Sequence, residues 1–283
     1  MRRADRRIAL GFHRTRPSRQ LLEHALTLGI TDVDTAFNYQ AFEGHRALAK
    51  AAGDLIHEFA VSTKVGFFPV GNRNYHSLRR WNLREAIEKT VCELGVPPAV
   101  VFLHNPEESL RPLHPAQAFD YFADACAELD RAADVGLCAA WGVASWEPGP
   151  LIEALQAGTA CLRPSTLMVR AGLSLDAEQL NAAERLATEF DIKPDGRWGM
   201  SPFAGSTSDE AWTTTDLSAF LAPEQDPTSV QAAFRLAFEL PHCTRLAVGS
   251  SNKRHLDELY AATQLEVIPG AVDKYRELIT SPG

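Results

Sequence analysis

The run Ala99-Val100-Val101-Phe102-Leu103-His104 is apolar until its last residue. A strand with one wet face alternates apolar and polar side chains. A strand without that alternation is buried on both faces, as in a parallel sheet covered by helices. The flanking segments agree. Residues 82–95 place Leu83, Ala86, Ile87, Thr90, Val91 and Leu94 at helical spacing, and residues 115–136 form a second helical run.

The same alternation of strand and helix extends in both directions. Short apolar runs at residues 8–12, 31–34, 59–65, 137–145, 165–170, 198–201 and 245–248 read as seven further strands. Between them, helices are expected over residues 19–29, 44–52, 150–157, 177–190, 228–240 and 253–262, with a last one at 272–279. Ser18 caps the first helix and Gly29 stops it. Residues 66–77, rich in Phe, Gly and Asn, are expected to be a loop. Eight such units with no linker between them predict a (β/α)8 TIM barrel spanning residues 1–283 as a single domain. No G-x-G-x-x-G follows the first strand, which argues against a doubly wound dinucleotide-binding sheet.

Bulk properties narrow the function. The chain has 283 residues, 45% hydrophobic and 23% charged, enough to bury a sizeable core without a disulfide or a metal. A net charge of −8 argues against a nucleic-acid footprint, and the basic start (Arg2, Arg3, Arg6, Arg7) reads as a solvated terminus. Five cysteines (Cys92, Cys126, Cys138, Cys161, Cys243) without paired spacing read as buried, reduced thiols of a cytoplasmic protein. Neither a secretory signal nor an apolar run near the ~18 residues of a membrane span is visible. No metal site is expected.

In such a barrel, chemistry belongs at the C-terminal ends of the strands. Strand two ends in Asp34, strand three in Lys64 and strand four in His104, and Tyr39 follows on the loop after strand two. A free phenol, with a pKa near ~10, is a weak acid at neutral pH. A lysine ammonium beside it favours the phenolate and makes the phenol a better proton donor. Asp34 is expected to hold Lys64 charged, and His104 to hydrogen-bond and orient the reacting oxygen. The bland alternatives are a turn-capping Asp, a neutralised buried Lys and a satisfied core His. Four such residues in register on adjacent strands favour the acid–base unit.

At this point the chain resembles an aldo-keto reductase. The resemblance rests on Asp34-Thr35-Ala36 with Tyr39, on Ser62-Thr63-Lys64-Val65-Gly66, and on Leu103-His104. Weaker echoes follow at residues 141–145, at Ser201-Pro202-Phe203 with Gly205, and at Val248-Gly249-Ser250-Ser251. The resemblance implies a barrel, often monomeric, that binds NADP(H) and reduces a small aldehyde or ketone, with Tyr39 as general acid. It further implies cofactor contacts from Ser145, Met168, Met200 and Ser201, and phosphate contacts from Gly249, Ser250 and Ser251 at a helix N-terminus, where backbone N–H groups suit an anion. Lys253 or Arg254 would meet a 2′-phosphate.

The departures from the family pattern cluster on the cofactor side. Ala144-Ser145 stands where Ser-Asn is usual, Met168 where a Gln holds the carboxamide, Met200 where an aromatic ring stacks on nicotinamide, and Glu258-Leu259 where Glu-Asn lies near adenine. Each lost hydrogen bond weakens binding by roughly 0.5–1.5 kcal/mol. A second reading therefore keeps the barrel and the four residues for proton transfer alone, as in a lyase, dehydratase or isomerase, with Arg170 gripping an anionic substrate. A non-catalytic binding protein is a third. Phe12, Phe67, Phe68, Trp81 and Trp146 are candidate pocket walls, and His13, Arg14, Glu107 and Arg111 candidate polar groups at the mouth.

Overall fold

The computed structural model describes residues 6–160 and 162–280. Its strands are β1 (Arg7–Gly11), β2 (Asp32–Asp34), β3 (Ala60–Val65), β4 (Phe67–Val70) and β5 (Arg73–His76), then β6 (Val100–His104), β7 (Ala140–Ser145), β8 (Thr166–Arg170), β9 (Arg197–Met200) and β10 (Arg245–Val248). Eight of them, all but β4 and β5, pair in parallel and close in the order β1-β10-β9-β8-β7-β6-β3-β2. The expected (β/α)8 barrel forms.

The helices are α1 (Arg19–Thr27), α2 (Gly44–Ala52), α3 (Arg80–Leu94), α4 (Glu107–Leu110), α5 (Pro115–Asp134) and α6 (Gly149–Ala157), followed by α7 (Ala177–Glu189), α8 (Ala211–Thr214), α9 (Ser229–Leu236), α10 (Lys253–Ala262) and α11 (Ala271–Thr280). Their ends follow from local chemistry. Ser18 accepts from the Leu21 N–H at the start of α1, and Asp176 with Gln179 closes a capping box on α7, as Thr228 with Gln231 does on α9. Gly95, at φ 73°, ends α3 in a left-handed turn that side-chain-bearing residues resist.

Side chains alternate between the barrel interior and the helix layer. The interior is packed by Ala9, Val100, Phe102, Ala144, Met168, Trp198 and Ala247. Phe102 meets Trp198 edge to face at 5.3 Å, so the barrel is a filled core. At its N-terminal end the Arg245 guanidinium lies 4.3 Å from the Trp198 ring and 3.3 Å from the Asp32 carboxylate. Among the described residues no strand precedes β1. Two larger apolar clusters fill the space between strands and helices.

Three segments differ from the sequence expectation. Residues 66–77 are not a plain loop but hold the β4–β5 hairpin, joined by Gly71-Asn72 with Gly71 at φ 56°. Cross-strand pairing puts Phe67 opposite His76 and Phe68 opposite Tyr75, and ring contacts at 4.8 and 5.6 Å stabilise it. Strand β7 starts at Ala140, because the Leu137 N–H still bonds back to the Ala132 carbonyl in the cap of α5. Helix α9 stops at Leu236, and tighter turns through Phe238 and Glu239 replace its last expected turn.

Candidate active site

Register carries the polar residues to one place. Gly11, Asp34 and Ser62 are lateral neighbours across β1, β2 and β3, and Lys64 lies two residues further along β3. Asp34 and Lys64 are 4% and 2% exposed, depths at which an unpaired charge is not tolerated. They are paired: Lys64 Nζ donates to Asp34 Oδ2 at 2.5 Å and to the Thr35 carbonyl at 3.1 Å. The other carboxylate oxygen accepts from Ser62 Oγ at 2.9 Å. Burial alone would lower the Lys64 pKa, but Asp34 and Tyr39 outweigh it and hold the ammonium above its ordinary value. The lysine is charged.

Tyr39 reaches this pair through an unusual turn. Its N–H bonds to the Ala36 carbonyl, and Gln40, Ala41 and Phe42 then adopt φ of 50°, 55° and 71°. Left-handed conformations in consecutive non-glycine residues cost energy, and such strain clusters at functional sites. The turn is braced by Gln40 Nε2, which donates to the Thr15 carbonyl at 3.3 Å. Gly44 is needed opposite it, since a Cβ there would lie 3.2 Å from the Tyr39 carbonyl oxygen. The Lys64 ammonium sits 5.2 Å from the Tyr39 ring centre. Burial raises the phenol pKa; Lys64 lowers it, Asp34 adds to the rise, and the balance lies above the ordinary value. The expected acidifying effect of Lys64 is present, and burial outweighs it. The neutral phenol is the resting state, and Lys64 limits how far burial disfavours the phenolate.

His104 closes β6 beside them, 6.1 Å from the Tyr39 ring centre and 4.9 Å from that of Phe67, edge-on to both. Burial first, then Lys64, His76 and His13, hold its pKa well below the ordinary histidine value, so the ring is neutral. Its buried Nδ1 finds no partner among the described residues, which leaves the imidazole uncommitted to a structural bond. His76, on β5, supports it from behind, with Nε2 2.8 Å from the His104 carbonyl oxygen and Nδ1 2.7 Å from Ser109 Oγ. Gly66 makes that approach possible, because a Cβ there would lie 2.9 Å from both the carbonyl and the His76 ring. His13 covers the other face of Tyr39 at 4.8 Å.

The sequence of the chain matches the Aldo/keto reductase family over residues 14–278. The chain belongs to the aldo/keto reductase family. No curated protein matches its sequence significantly. Among solved structures, a holo-form aldo-keto reductase from Bacillus halodurans superposes with a TM-score of 0.72 at 15% identity, covering 98% of this chain and 92% of that one. An aldo-keto reductase from Klebsiella pneumoniae in complex with NADPH gives 0.69 at 18% identity, over 97% and 91%. An aldose reductase from Giardia lamblia gives 0.68 at 14%, over 99% and 94%. At these identities the likeness is one of fold.

The residues expected to meet a family cofactor fall into two groups. Gly249, Ser251, Lys253 and Arg254 are exposed around the N-terminus of α10, where Asn252 caps the helix through the Arg254 N–H. Ser250 is nearly buried and donates to the Asn252 carbonyl at 3.0 Å. Met200 and Ser201 sit half-buried at the end of β9, Ser201 at φ 56°. Ser145 and Met168 are elsewhere. Met168 is fully buried in the barrel interior. Ser145 is fully buried too, and its hydroxyl donates to Glu107 Oε2 at 3.1 Å. Glu107 also accepts from the Trp146 and Glu147 N–H groups at 2.6 and 2.9 Å. Burial nevertheless raises its pKa above the ordinary carboxylate value, with those bonds working against the shift.

Of the candidate pocket walls, Phe12 and Phe68 are core residues, Trp81 is exposed on α3, and Phe67 packs on His104. Trp146 carries the Arg170 guanidinium over its ring at 5.0 Å. Arg14 donates to the Gly205 carbonyl at 2.7 Å, and Arg111 pairs with Glu147 at 2.5 Å. His76 was not singled out by the sequence; its signal was the Gly71-Asn72 pair between Phe67-Phe68 and Tyr75, a two-residue hairpin cue. Ser62 lay within the quoted strand without a role.

Proposed function

We propose that the chain is an NADP(H)-dependent reductase of a small carbonyl compound, with Tyr39 as the general acid. The observation that carries this reading is the buried Lys64–Asp34 pair set against the Tyr39 phenol beside an uncommitted neutral His104. When bound, reduced nicotinamide supplies a hydride to the carbonyl carbon. As charge builds on the oxygen, the Tyr39 proton moves to it, giving the alcohol; an alkoxide is a far stronger base than a phenolate, so the transfer runs downhill. Lys64 stabilises the phenolate left behind, which water reprotonates. His104 donates a hydrogen bond to the same oxygen and fixes its position. Asp34 and Ser62 hold Lys64 and the carboxylate in place.

The fit to the cofactor is uneven. The exposed α10 N-terminus suits a phosphate-bearing nucleotide, since it carries Lys253 and Arg254, the latter 3.5 Å from Glu258, beside backbone N–H groups. Met200, half-buried, provides apolar surface for a ring, but Ser145 is committed to Glu107 and Met168 has no hydrogen-bonding group to offer an amide. We infer that the nucleotide is held chiefly by its phosphates. The same observation gives the second reading, proton transfer without hydride, its support. Titration with NADPH, followed by nicotinamide fluorescence, separates the two. Saturable binding supports the reductase; its absence at millimolar cofactor overturns it in favour of the second.

We further read the chain as a single-domain cytoplasmic monomer with no nucleic-acid or membrane partner. In support, Cys126, Cys138 and Cys243 are buried free thiols; Cys92, contrary to expectation, is a free thiol exposed on α3, and Cys161 lies outside the described residues. No described helix is long and apolar enough to cross a membrane, and no described cluster suits a metal ion.

A further inference from the structure

We propose that Arg170 and Trp146 form an anion-binding subsite at the barrel mouth, so that the substrate is a carbonyl compound carrying a carboxylate. The inference rests on the reductase reading and names its substrate class.

Arg170 is the last residue of β8, at the strand end where Tyr39 and His104 lie. It stands two residues beyond Met168, which points into the barrel, so alternation sends Arg170 inward as well, one layer nearer the mouth. Its guanidinium lies over the Trp146 ring, 5.0 Å from the centroid, and among the described residues it has no carboxylate partner. The neighbouring opposite charges are already used: Glu147 holds Arg111, and Glu107 is spent on the Ser145 hydroxyl and two N–H groups.

A guanidinium over an aromatic face can turn its N–H edge to a carboxylate and grip it with two parallel bonds. Glu107 accepts from the backbone N–H of Trp146 at 2.6 Å and so holds the segment that carries the ring. Strands β6 and β8 are separated only by β7, so His104 and Arg170 rise from axes roughly 10 Å apart and their side chains converge inward. A substrate of three to five carbons with a carbonyl at one end and a carboxylate at the other spans that gap.

The test compares 4-oxobutanoate with butanal as substrates for wild type, Arg170→Met and Arg170→Lys, using NADPH. The wild type should prefer 4-oxobutanoate. In Arg170→Met the ratio of kcat/KM for the anionic over the neutral aldehyde should fall about ten- to hundredfold, mostly through KM, and Arg170→Lys should recover part of it. A readout independent of the cofactor is quenching of Trp146 fluorescence by succinate, assigned with Trp146→Phe; it should saturate in wild type and not in Arg170→Met. Equal losses on both aldehydes overturn the proposal in favour of a packing role. Loss of NADPH affinity in Arg170→Met overturns it too, because the anion would then belong to the cofactor. Succinate binding by a wild type that reduces neither aldehyde upholds the subsite and sinks the reductase reading instead.

Discussion

Replacing Lys64 with Met removes an ammonium that is 2% exposed and leaves the Asp34 carboxylate, 4% exposed, with only Ser62 to donate to it. Breaking a buried pair by deleting one partner costs about 3–5 kcal/mol, since the remaining charge is uncompensated. For a chain of this size that lowers Tm by on the order of 10 °C. The phenol loses the one neighbour that favours its ionisation, so kcat/KM should fall by about 10²–10⁴. The double variant Lys64→Met/Asp34→Asn separates the two effects. Neutralising both partners should restore at least about 2 kcal/mol of the lost stability while activity stays low. Urea unfolding at pH 7 and initial rates of carbonyl reduction give both quantities. A Lys64→Met variant as stable as wild type, or a double variant whose losses simply add, would refute the buried-pair argument. The pH sense follows from the raised Lys64 pKa: the ammonium's contribution is complete at neutral pH and is lost only as the pH climbs past the ordinary lysine value.

Other outcomes follow from the same geometry. His45 is buried against Thr63, and burial first, then Lys89 and Lys64, lowers its pKa to about 4. An unfolded histidine takes up its proton near pH 6.5 and the folded one does not, so stability should fall by about 3 kcal/mol between pH 6.5 and 4. His45→Leu should flatten that acid limb in urea midpoints measured across the range. Glu107→Gln keeps one oxygen for the Trp146 and Glu147 N–H groups and turns its NH2 toward the Ser145 hydroxyl, exchanging charge-assisted bonds for neutral ones; thermal unfolding should show a loss of about 1 kcal/mol. Gly66→Ala forces a Cβ to 2.9 Å from the His104 carbonyl and the His76 ring at φ +152°. It should lower kcat about tenfold or more by displacing His104, with NADPH affinity retained in a fluorescence titration.

The barrel was legible because its strands are apolar on both faces and its helices are amphipathic, so the period of each segment is written in local residues. The tetrad was legible for a complementary reason: Asp34, Lys64 and His104 stand at the same end of three consecutive barrel strands, with Tyr39 on the loop beside them. What sits behind the tetrad was hidden. The hairpin bringing His76 to His104 depends on ring contacts between β4 and β5, and a cluster of Phe, Gly and Asn reads equally well as a loop. The acidifying effect of Lys64 on Tyr39 could be inferred from strand order, while the depth of burial that outweighs it could not. The commitment of Ser145 to Glu107 joins residues 38 apart in sequence, and no local pattern announces it.

The central claim is that Tyr39 delivers the proton in carbonyl reduction. Its most direct test is Tyr39→Phe, which keeps the ring against His13 and His104 and removes only the hydroxyl. Loss of nicotinamide absorbance in the presence of an aldehyde is measured beside Tm and NADPH affinity. The account predicts a fall in kcat of at least about 10² with Tm and affinity unchanged. Full turnover by Tyr39→Phe would contradict it.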